Sequence, residues 1–254
     1  MAERERPGRL EGLEEKLFGE IEEELGYRFH PEASRGIPLG RVSAAVALKH
    51  ARELIYEKQV PYVLIAGVDS LLVGPTLAAF EENHRLLTSQ NSNGFIPGEA
   101  GAAVLVCHPS QDEGSKLLCN GLGYSIEEAH INSEIPLRAD GLTNAIKVAL
   151  DEAQCGLGDM DFRITDITGE QYYFKEAELA LNRLLRRHKE HFYLWHPTDC
   201  IGEVGSAIGI ALLTVALASG RKSYAYGDNI ICQQGNDPGQ RAVAVLNYAC
   251  GAAI

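Results

Sequence analysis

The feature that most constrains this chain is a regular alternation of short apolar runs with segments of helical periodicity. Short unbroken apolar runs predict strands covered on both faces, and apolar residues at every third or fourth position predict helices. The predicted strands are residues 62–68, 100–107, 117–126, 162–167, 192–195, 229–233 and 241–248. Strands that alternate with helices favour an α/β fold with mostly parallel sheets.

Six helices are predicted between these strands: residues 10–25, 43–57, 75–87, 142–154, 174–188 and 205–218. Gly26 suits the C-cap of the first helix, and Pro75 suits the first turn of the third. The last two strands are joined by residues 235–239, which predicts a hairpin and one antiparallel edge. The order αββ over residues 43–126 copies the end of the order βαβαβαββ from residue 117 onward, so an internal repeat is expected.

Charge and cysteine content restrict the possible partners and the compartment. The 35 acidic and 23 basic residues give a net charge of −12, which disfavours nucleic acids and anionic membranes as partners. Six scattered cysteines, mostly within apolar runs, are expected to be free and buried, as in a cytoplasmic protein. The longest strongly apolar stretch, residues 208–218, is shorter than the ~20 residues that span a bilayer. His188 and His191 lack a third ligand at useful spacing, so no metal or cofactor is predicted.

Three segments resemble motifs of the β-ketoacyl synthases. Residues 63–70 (VLIAGVDS) resemble their "AGG" strand, residues 93–102 (NGFIPGEAGA) resemble "DGFVxGEGAG", and residues 201–209 (IGEVGSAIG) resemble "TGHxxGAAG". The resemblance covers residues 41–254 and implies a thiolase-like α/β fold of two pseudo-repeated βαβαβαββ halves, the first truncated at its N-terminus. It implies an N-terminal helix and linker at 1–40, a truncated half at 41–113 and a complete half at 114–254.

The same resemblance implies that the family's catalytic residues are replaced. Its cysteine position falls at Arg41, and its two histidine positions fall at Thr168 and Glu203. A threonine hydroxyl cannot replace an imidazole in proton transfer, and a carboxylate carries the wrong sign of charge for stabilising an oxyanion. Decarboxylative condensation is therefore not expected, and no catalytic residue is assigned.

A narrower resemblance concerns residues 167–172 (ITGEQY) and 194–203 (LWHPTDCIGE), with Lys175 and Glu176. These look like the degenerate thiolase-like proteins found near bacterial type VI secretion effectors. That resemblance implies a non-catalytic adaptor or co-chaperone that binds a protein partner such as an effector. Two alternatives stay open: an acyltransferase with residual or partner-dependent activity, and a module that binds acyl-carrier protein or acyl-CoA.

Five residues are candidates for a pocket or an interaction: Glu170, Tyr172, His196, Asp199 and Cys200. Cys200 and His196 could act as nucleophile and base, but without an orienting third group Cys200 is expected in the core. Asp199 could form an acid pair with Glu203. Alternatively, Asp199 or Thr198 caps the next helix, with Glu203 in its first turn. Residues 172–174 could anchor an interface or cover the core.

A last expectation concerns the strand at residues 62–68. With a truncated first half, this apolar strand would have an open edge, and open edges invite pairing with another chain. The chain is therefore expected to need a partner, a dimer mate or the rest of a longer polypeptide. Alternatively, the N-terminal segment folds back over the edge.

Overall fold

The computed structural model describes residues 1–111 and 113–251, which form seven helices and seven strands. The helices are α1 (Leu13–Leu25), α2 (Ser43–Glu57), α3 (Gly74–Glu82), α4 (Asp140–Glu152), α5 (Gln171–Leu184), α6 (Thr198–Ile201) and α7 (Ile208–Arg221). The strands are β1 (Tyr62–Ser70), β2 (Glu99–Cys107), β3 (Lys116–Ile126), β4 (Phe162–Thr165), β5 (Leu194–Trp195), β6 (Asn229–Gly235) and β7 (Gln240–Ala249). All predicted elements are present; α2 has the predicted ends, and the other elements differ at one or both ends.

Five strands form a mixed sheet in the order β3-β7-β6-β4-β5. Strand β4 is parallel to β5 and β6, whereas β7 is antiparallel to both β6 and β3. The predicted hairpin between β6 and β7 is confirmed. Its antiparallel strand lies inside the sheet, because β3 pairs with the far edge of β7.

The remaining strands, β1 and β2, form a separate antiparallel sheet with Tyr62 opposite Cys107 and Ser70 opposite Glu99. One face of this sheet packs on the core through Ile65 and Val104. The other face is formed by side chains that point away from the core, and we call it the outer face. Its residues are Tyr62, Leu64, Ala66, Val68, Ala103 and Leu105.

The expectation that β1 is covered on both faces was wrong. Val68 is 74% exposed and Leu64 is 58% exposed, because the described residues supply helices to only one side of this sheet. The edge of β1 opposite β2 pairs with no strand in the described part of the chain. The N-terminal segment contacts the end of β1, where Arg6 is paired with Asp69, but among the described residues it makes no backbone hydrogen bond with that strand.

Two helices separate the sheets. Helices α2 and α7 share one hydrophobic cluster with β1, β4, β6 and β7, and they form the central layer. Helices α4 and α5 cover the opposite face of the five-stranded sheet, where Ile231, Val243 and Val245 are buried. The layers are therefore the β1–β2 sheet, α2 with α7, the five-stranded sheet, and α4 with α5.

The predicted repeat is visible in the backbone. Gly40 (φ 56°) and Gly205 (φ 54°) each open a short 3₁₀ turn that leads into α2 and α7. The residues before them also match, with φ −117° and ψ 20° at Leu39 and φ −116° and ψ 23° at Val204. Each helix is followed by an antiparallel pair, β1–β2 or β6–β7.

Cysteine burial differs from the prediction. All six cysteines are free, but only Cys232 is buried, whereas Cys119, Cys200 and Cys250 are exposed. Apolar neighbours in the sequence do not bury a residue that lies on an edge strand or a short surface helix. Among the described residues, no helix is long and apolar enough to cross a bilayer.

Candidate functional site: a buried charge network

Two of the three residues that the resemblance assigns to the family's catalytic positions are in direct contact. Arg41 lies in the 3₁₀ turn before α2, and Glu203 lies just before the matching turn at Gly205. The repeat brings these two turns together, and Nη1 of Arg41 donates to Oε2 of Glu203 at 3.1 Å. Both side chains are buried, so the ion pair fills the space between the two turns.

Asp237, in the loop between β6 and β7, extends this contact. Its carboxylate accepts a hydrogen bond from Nη2 of Arg41 at 2.7 Å and one from the Tyr173 hydroxyl. It also accepts from Nη1 of Arg85 at 2.9 Å, and Nη2 of Arg85 donates to Glu170 at 2.8 Å. We call the chain Glu203–Arg41–Asp237–Arg85–Glu170 the buried charge network.

Two further acidic groups lie beside the network. Asp166 is 3.9 Å from Nε of Arg41 and accepts from the Gly235 amide at 2.9 Å. Glu176 is paired with Arg241 at 2.8 Å, and Arg241 also donates to the Tyr172 hydroxyl at 3.0 Å. Two arginines in the network therefore face three carboxylates, with Asp166 a fourth at its edge.

Burial and the ion pairs together determine the ionisation of the carboxyl groups. Burial raises the pKa of Glu203 to about 7, although Arg41 and the Gly205 amide favour the charged form. Burial raises the pKa of Asp166 as well. At Asp237 burial acts in the same direction but is outweighed by Arg41 and Arg85, which hold its pKa well below the usual range. Burial also raises the pKa of the Tyr173 hydroxyl, which stays protonated and donates to Asp237.

Thr168, the third residue that the resemblance assigns to a catalytic position, lies between β4 and α5 and is buried. Its Oγ1 has no hydrogen-bond partner among the described groups. The network therefore offers no thiol and no imidazole, and the Glu203 carboxyl, whose pKa is raised to about 7, is ion-paired with Arg41. The assignment of Arg41, Thr168 and Glu203 to the family's cysteine and histidine positions stays a prediction.

A second feature is an open, largely apolar cleft of about 650 Å³ between β2, α6 and α7. It is lined by Ala102, Leu194, Trp195, His196, Pro197, Asp199, Cys200, Ile201, Ala211, Thr214, Val215 and Tyr224. Nδ1 of His196 lies 2.9 Å from Oδ2 of Asp199. No hydrogen bond joins His196 to Cys200 in the described part of the chain.

Two interpretations of this segment need correction. Cys200 was expected in the core, but α6 is a single turn on the surface and leaves the thiol exposed. Neither Thr198 nor Asp199 caps the following helix: the Thr198 hydroxyl donates to the Ile167 carbonyl. Glu203 itself accepts from the Gly205 amide at 3.0 Å, at the start of the next turn.

The five candidate residues thus fall into different places. Glu170 belongs to the buried charge network, Tyr172 contacts Arg241, and His196, Asp199 and Cys200 line the cleft. Sequence analysis missed Arg85, Asp237 and Arg241. The one available signal for Asp237 was its place in a glycine-containing loop that follows a buried strand. In residues 1–111 and 113–251, no three His, Cys, Asp or Glu side chains are placed to hold a metal ion.

Comparisons with known proteins agree with this architecture. No protein-family profile matches the chain. Over 131 residues it is 30% identical to a protein named as a polyketide beta-ketoacyl synthase from Streptomyces cyaneus. The alignment covers 51% of this chain and 30% of that protein.

Solved ketosynthases share the fold at low identity. An oxazolomycin ketosynthase domain from Streptomyces albus has a TM-score of 0.76 at 16% identity, covering 94% of this chain and 50% of that one. A ketosynthase in complex with its chain length factor from Xenorhabdus doucetiae has a TM-score of 0.73 at 14% identity, covering 91% and 63%. The ishigamide ketosynthase/chain length factor has a TM-score of 0.72 at 16% identity, covering 97% and 76%. The chain therefore has a β-ketoacyl-synthase-like, thiolase-type fold, and it spans half to three quarters of these structures.

Proposed function

We propose that this ketosynthase-fold chain is catalytically degenerate and works by binding another protein. The observation that carries the proposal is the buried ion pair between Arg41 and Glu203, 3.1 Å apart. Covalent acyl transfer needs a nucleophile at the start of a helix and a base within hydrogen-bond reach. At the turn before α2 the side chain is a guanidinium, which stays protonated in proteins and cannot attack a thioester.

The network is also unsuited to stabilising the oxyanion that forms during condensation. A developing oxyanion needs donors that are free to point at it. The donors of Arg41 and Arg85 are already directed at Glu203, Asp237 and Glu170. Releasing them would leave buried carboxylates without partners, which costs several kcal/mol.

Several observations support a role in binding a protein partner. Two of the compared ketosynthase structures contain a chain length factor, and another contains an acyl-carrier protein. This chain also exposes the apolar outer face of its β1–β2 sheet, and large exposed apolar patches mark interaction sites. The specific proposal is an adaptor or co-chaperone of a type VI secretion effector in the cytoplasm. It is supported by the resemblance of residues 167–172 and 194–203, with Lys175 and Glu176.

A condensation assay tests the proposal. The purified chain is incubated with an acyl thioester and malonyl-acyl-carrier protein, and the expected result is no condensed product and no stable acyl-enzyme. Turnover that persists in Cys200→Ala would contradict the degenerate site. Turnover abolished by that substitution would instead identify Cys200 as a nucleophile. Either form of turnover refutes the non-catalytic assignment.

A further inference from the structure

The internal repeat allows the two sheets to be compared strand by strand. Strand β2 follows α2 and β1 as β7 follows α7 and β6. In the five-stranded sheet, the far edge of β7 pairs with β3 over its whole length, from Lys116 opposite Ala249 to Ile126 opposite Gln240. The far edge of β2 has no such strand among the described residues.

Strand β3 also covers a helix of the central layer. The Tyr124 hydroxyl donates to the Ala45 carbonyl of α2 at 2.5 Å, and its ring packs against Val42 and Ala45. In the internal repeat, α7 is the counterpart of α2. Because Gly40 matches Gly205, Ala45 corresponds to Ile210, and the next residue, Ala211, faces the cleft with Thr214 and Val215 instead of a strand. The cleft therefore lies where the repeat places a strand beside β2.

The chemistry of the cleft suits an extended segment. Its walls are mostly apolar, with Trp195 and Tyr224 on one side and Ala102 of β2 on the other. Asp199 is the one carboxylate among the lining residues, which include no lysine or arginine. The Asp199 side chain is 63% exposed. It lies at the end of the cleft where Gly98 and Ile201 are in close contact. An incoming strand should therefore carry a basic residue at that end.

We propose that the cleft is a docking slot for an extended strand of the partner protein. The strand runs antiparallel to β2, as β3 does to β7, and places alternate apolar side chains against Ala211 and Val215. Because β2 begins at the Asp199 end, the C-terminal end of an antiparallel strand lies there and carries the basic residue. Open N–H and C=O groups of an edge strand supply the affinity, and side-chain pockets supply the specificity. This inference rests on the proposed function of binding another protein, and it assigns the free edge of β2 as the place where that protein docks.

A strand of the chain itself provides the probe. A fluorescent peptide has the sequence of residues 116–126, with serine in place of Cys119 and two lysines added at its C-terminus. Anisotropy should show saturable binding to the full chain. The pairing edge of the peptide is the edge that faces β7 in the folded protein. Methylating the backbone nitrogens on this edge should weaken binding at least about tenfold, because backbone hydrogen bonds are lost. Methylation on the opposite edge should have little effect.

Matched variants locate the site. Ala211→Trp fills the cleft and should weaken binding at least about tenfold, whereas Leu105→Trp, on the outer face of the same strand β2, should leave it unchanged. Asp199→Asn should weaken binding and reduce its salt dependence. Circular dichroism checks that each variant folds, and Val215→Trp replaces Ala211→Trp if the latter does not.

Four results would overturn the proposal. The first is a dissociation constant of the peptide above about 1 mM, and the second is peptide binding that does not change when the pairing edge is methylated. The third is peptide binding that persists in Ala211→Trp. The fourth is occupation of the cleft by another species. That species would appear as saturable binding of dodecanoate, or as dimers that Ala211→Trp abolishes, in either case without peptide binding. The condensation assay is independent, so a failed peptide titration leaves the non-catalytic assignment standing.

Discussion

Arg41 and Glu203 are both buried, so removing Arg41 leaves the Glu203 carboxyl without its cationic partner. Removing one member of a buried pair typically costs about 3–5 kcal/mol, whereas replacing both with apolar groups is often tolerated. Their positions, 162 residues apart in the chain, are fixed by the two matched turns. The pair is therefore expected to matter for folding.

Substitution of Arg41 tests this expectation. Arg41→Met should lower the free energy of unfolding by about 3–5 kcal/mol, and adding Glu203→Leu should recover part of the loss. Arg52→Met is the matched control, because Arg52 pairs with Glu152 at 2.8 Å on the surface, and its loss should cost less than about 1 kcal/mol. Urea denaturation measures all three variants. An equal decrease in the free energy of unfolding for Arg41→Met and Arg52→Met would show that the buried pair contributes no more to stability than the surface pair.

Glu203 also makes stability depend on pH. Its pKa is raised from 4.5 to about 7 in the folded protein, so the native state binds the proton more tightly than the unfolded state. The resulting stability is complete below pH 4.5 and is lost as the pH rises through about 7. The difference in unfolding free energy between the natural protein and Glu203→Gln should therefore fall by about 3 kcal/mol across this range.

Denaturation at several pH values measures that difference, with Glu81→Gln on the exposed side of α3 as the control for loss of a carboxylate. A difference between the natural protein and Glu203→Gln that stays constant from pH 4 to about 8 would refute the assignment of the slope to Glu203.

The motif resemblance predicts that Arg41 and Glu203 stand at two of the family's catalytic positions, but it did not predict that they touch. Opposite charges at two positions that meet in the family's fold were the available signal. Neither Arg85 nor Asp237 was predicted to join the network, because each lies in a polar loop where charged residues are ordinary. Only the tertiary structure brings their side chains within 2.9 Å.

At the scale of elements, the close contact between α2 and α7 depends on a missing side chain. A Cβ atom on Gly209 would lie 2.5 Å from Cβ of Ala44 and 2.8 Å from Oε1 of Gln234. The two helices of the central layer can approach this closely only because position 209 has no side chain.

Gly209→Val should therefore destabilise the protein by about 1–3 kcal/mol through overpacking. Gly19→Val is the matched control, because a Cβ on Gly19 in α1 meets nothing within 4 Å. Thermal denaturation should show a lower midpoint for the first variant and an equal or higher midpoint for the second. An unchanged midpoint for Gly209→Val would mean that α2 and α7 separate easily.

The elements themselves were largely predictable, and their ends were not. Periodicity placed a helix at residues 205–218, but the α-helix starts at Ile208 after a 3₁₀ turn and continues to Arg221. The helix expected at 75–87 ends at Glu82, because Arg85 and Leu87 exchange backbone hydrogen bonds with Phe95 instead. Such ends are determined by distant segments, which local patterns do not report.

For the molecule as a whole, the thiols report both redox state and packing. All six cysteines are free, so six should react after denaturation without reductant. In the folded protein Cys232 should react last, because it is buried and burial raises the pKa of its thiol to about 12. Cys200 and Cys250, both exposed, should react early. Mass spectrometry after timed alkylation gives the order, and early labelling of Cys232 would contradict the central packing.

The outer face of the β1–β2 sheet gives the chain an unusual response to warming. Attraction between apolar surfaces strengthens as cold water is warmed towards room temperature, the opposite of most polar contacts. Concentrated protein should therefore scatter more light at about 30 °C than at about 5 °C, and should clear again on cooling. Leu64→Lys combined with Leu105→Lys should abolish the clouding without lowering the melting temperature, since both side chains are more than half exposed. Cold storage, rather than warmth, would then keep this protein dispersed.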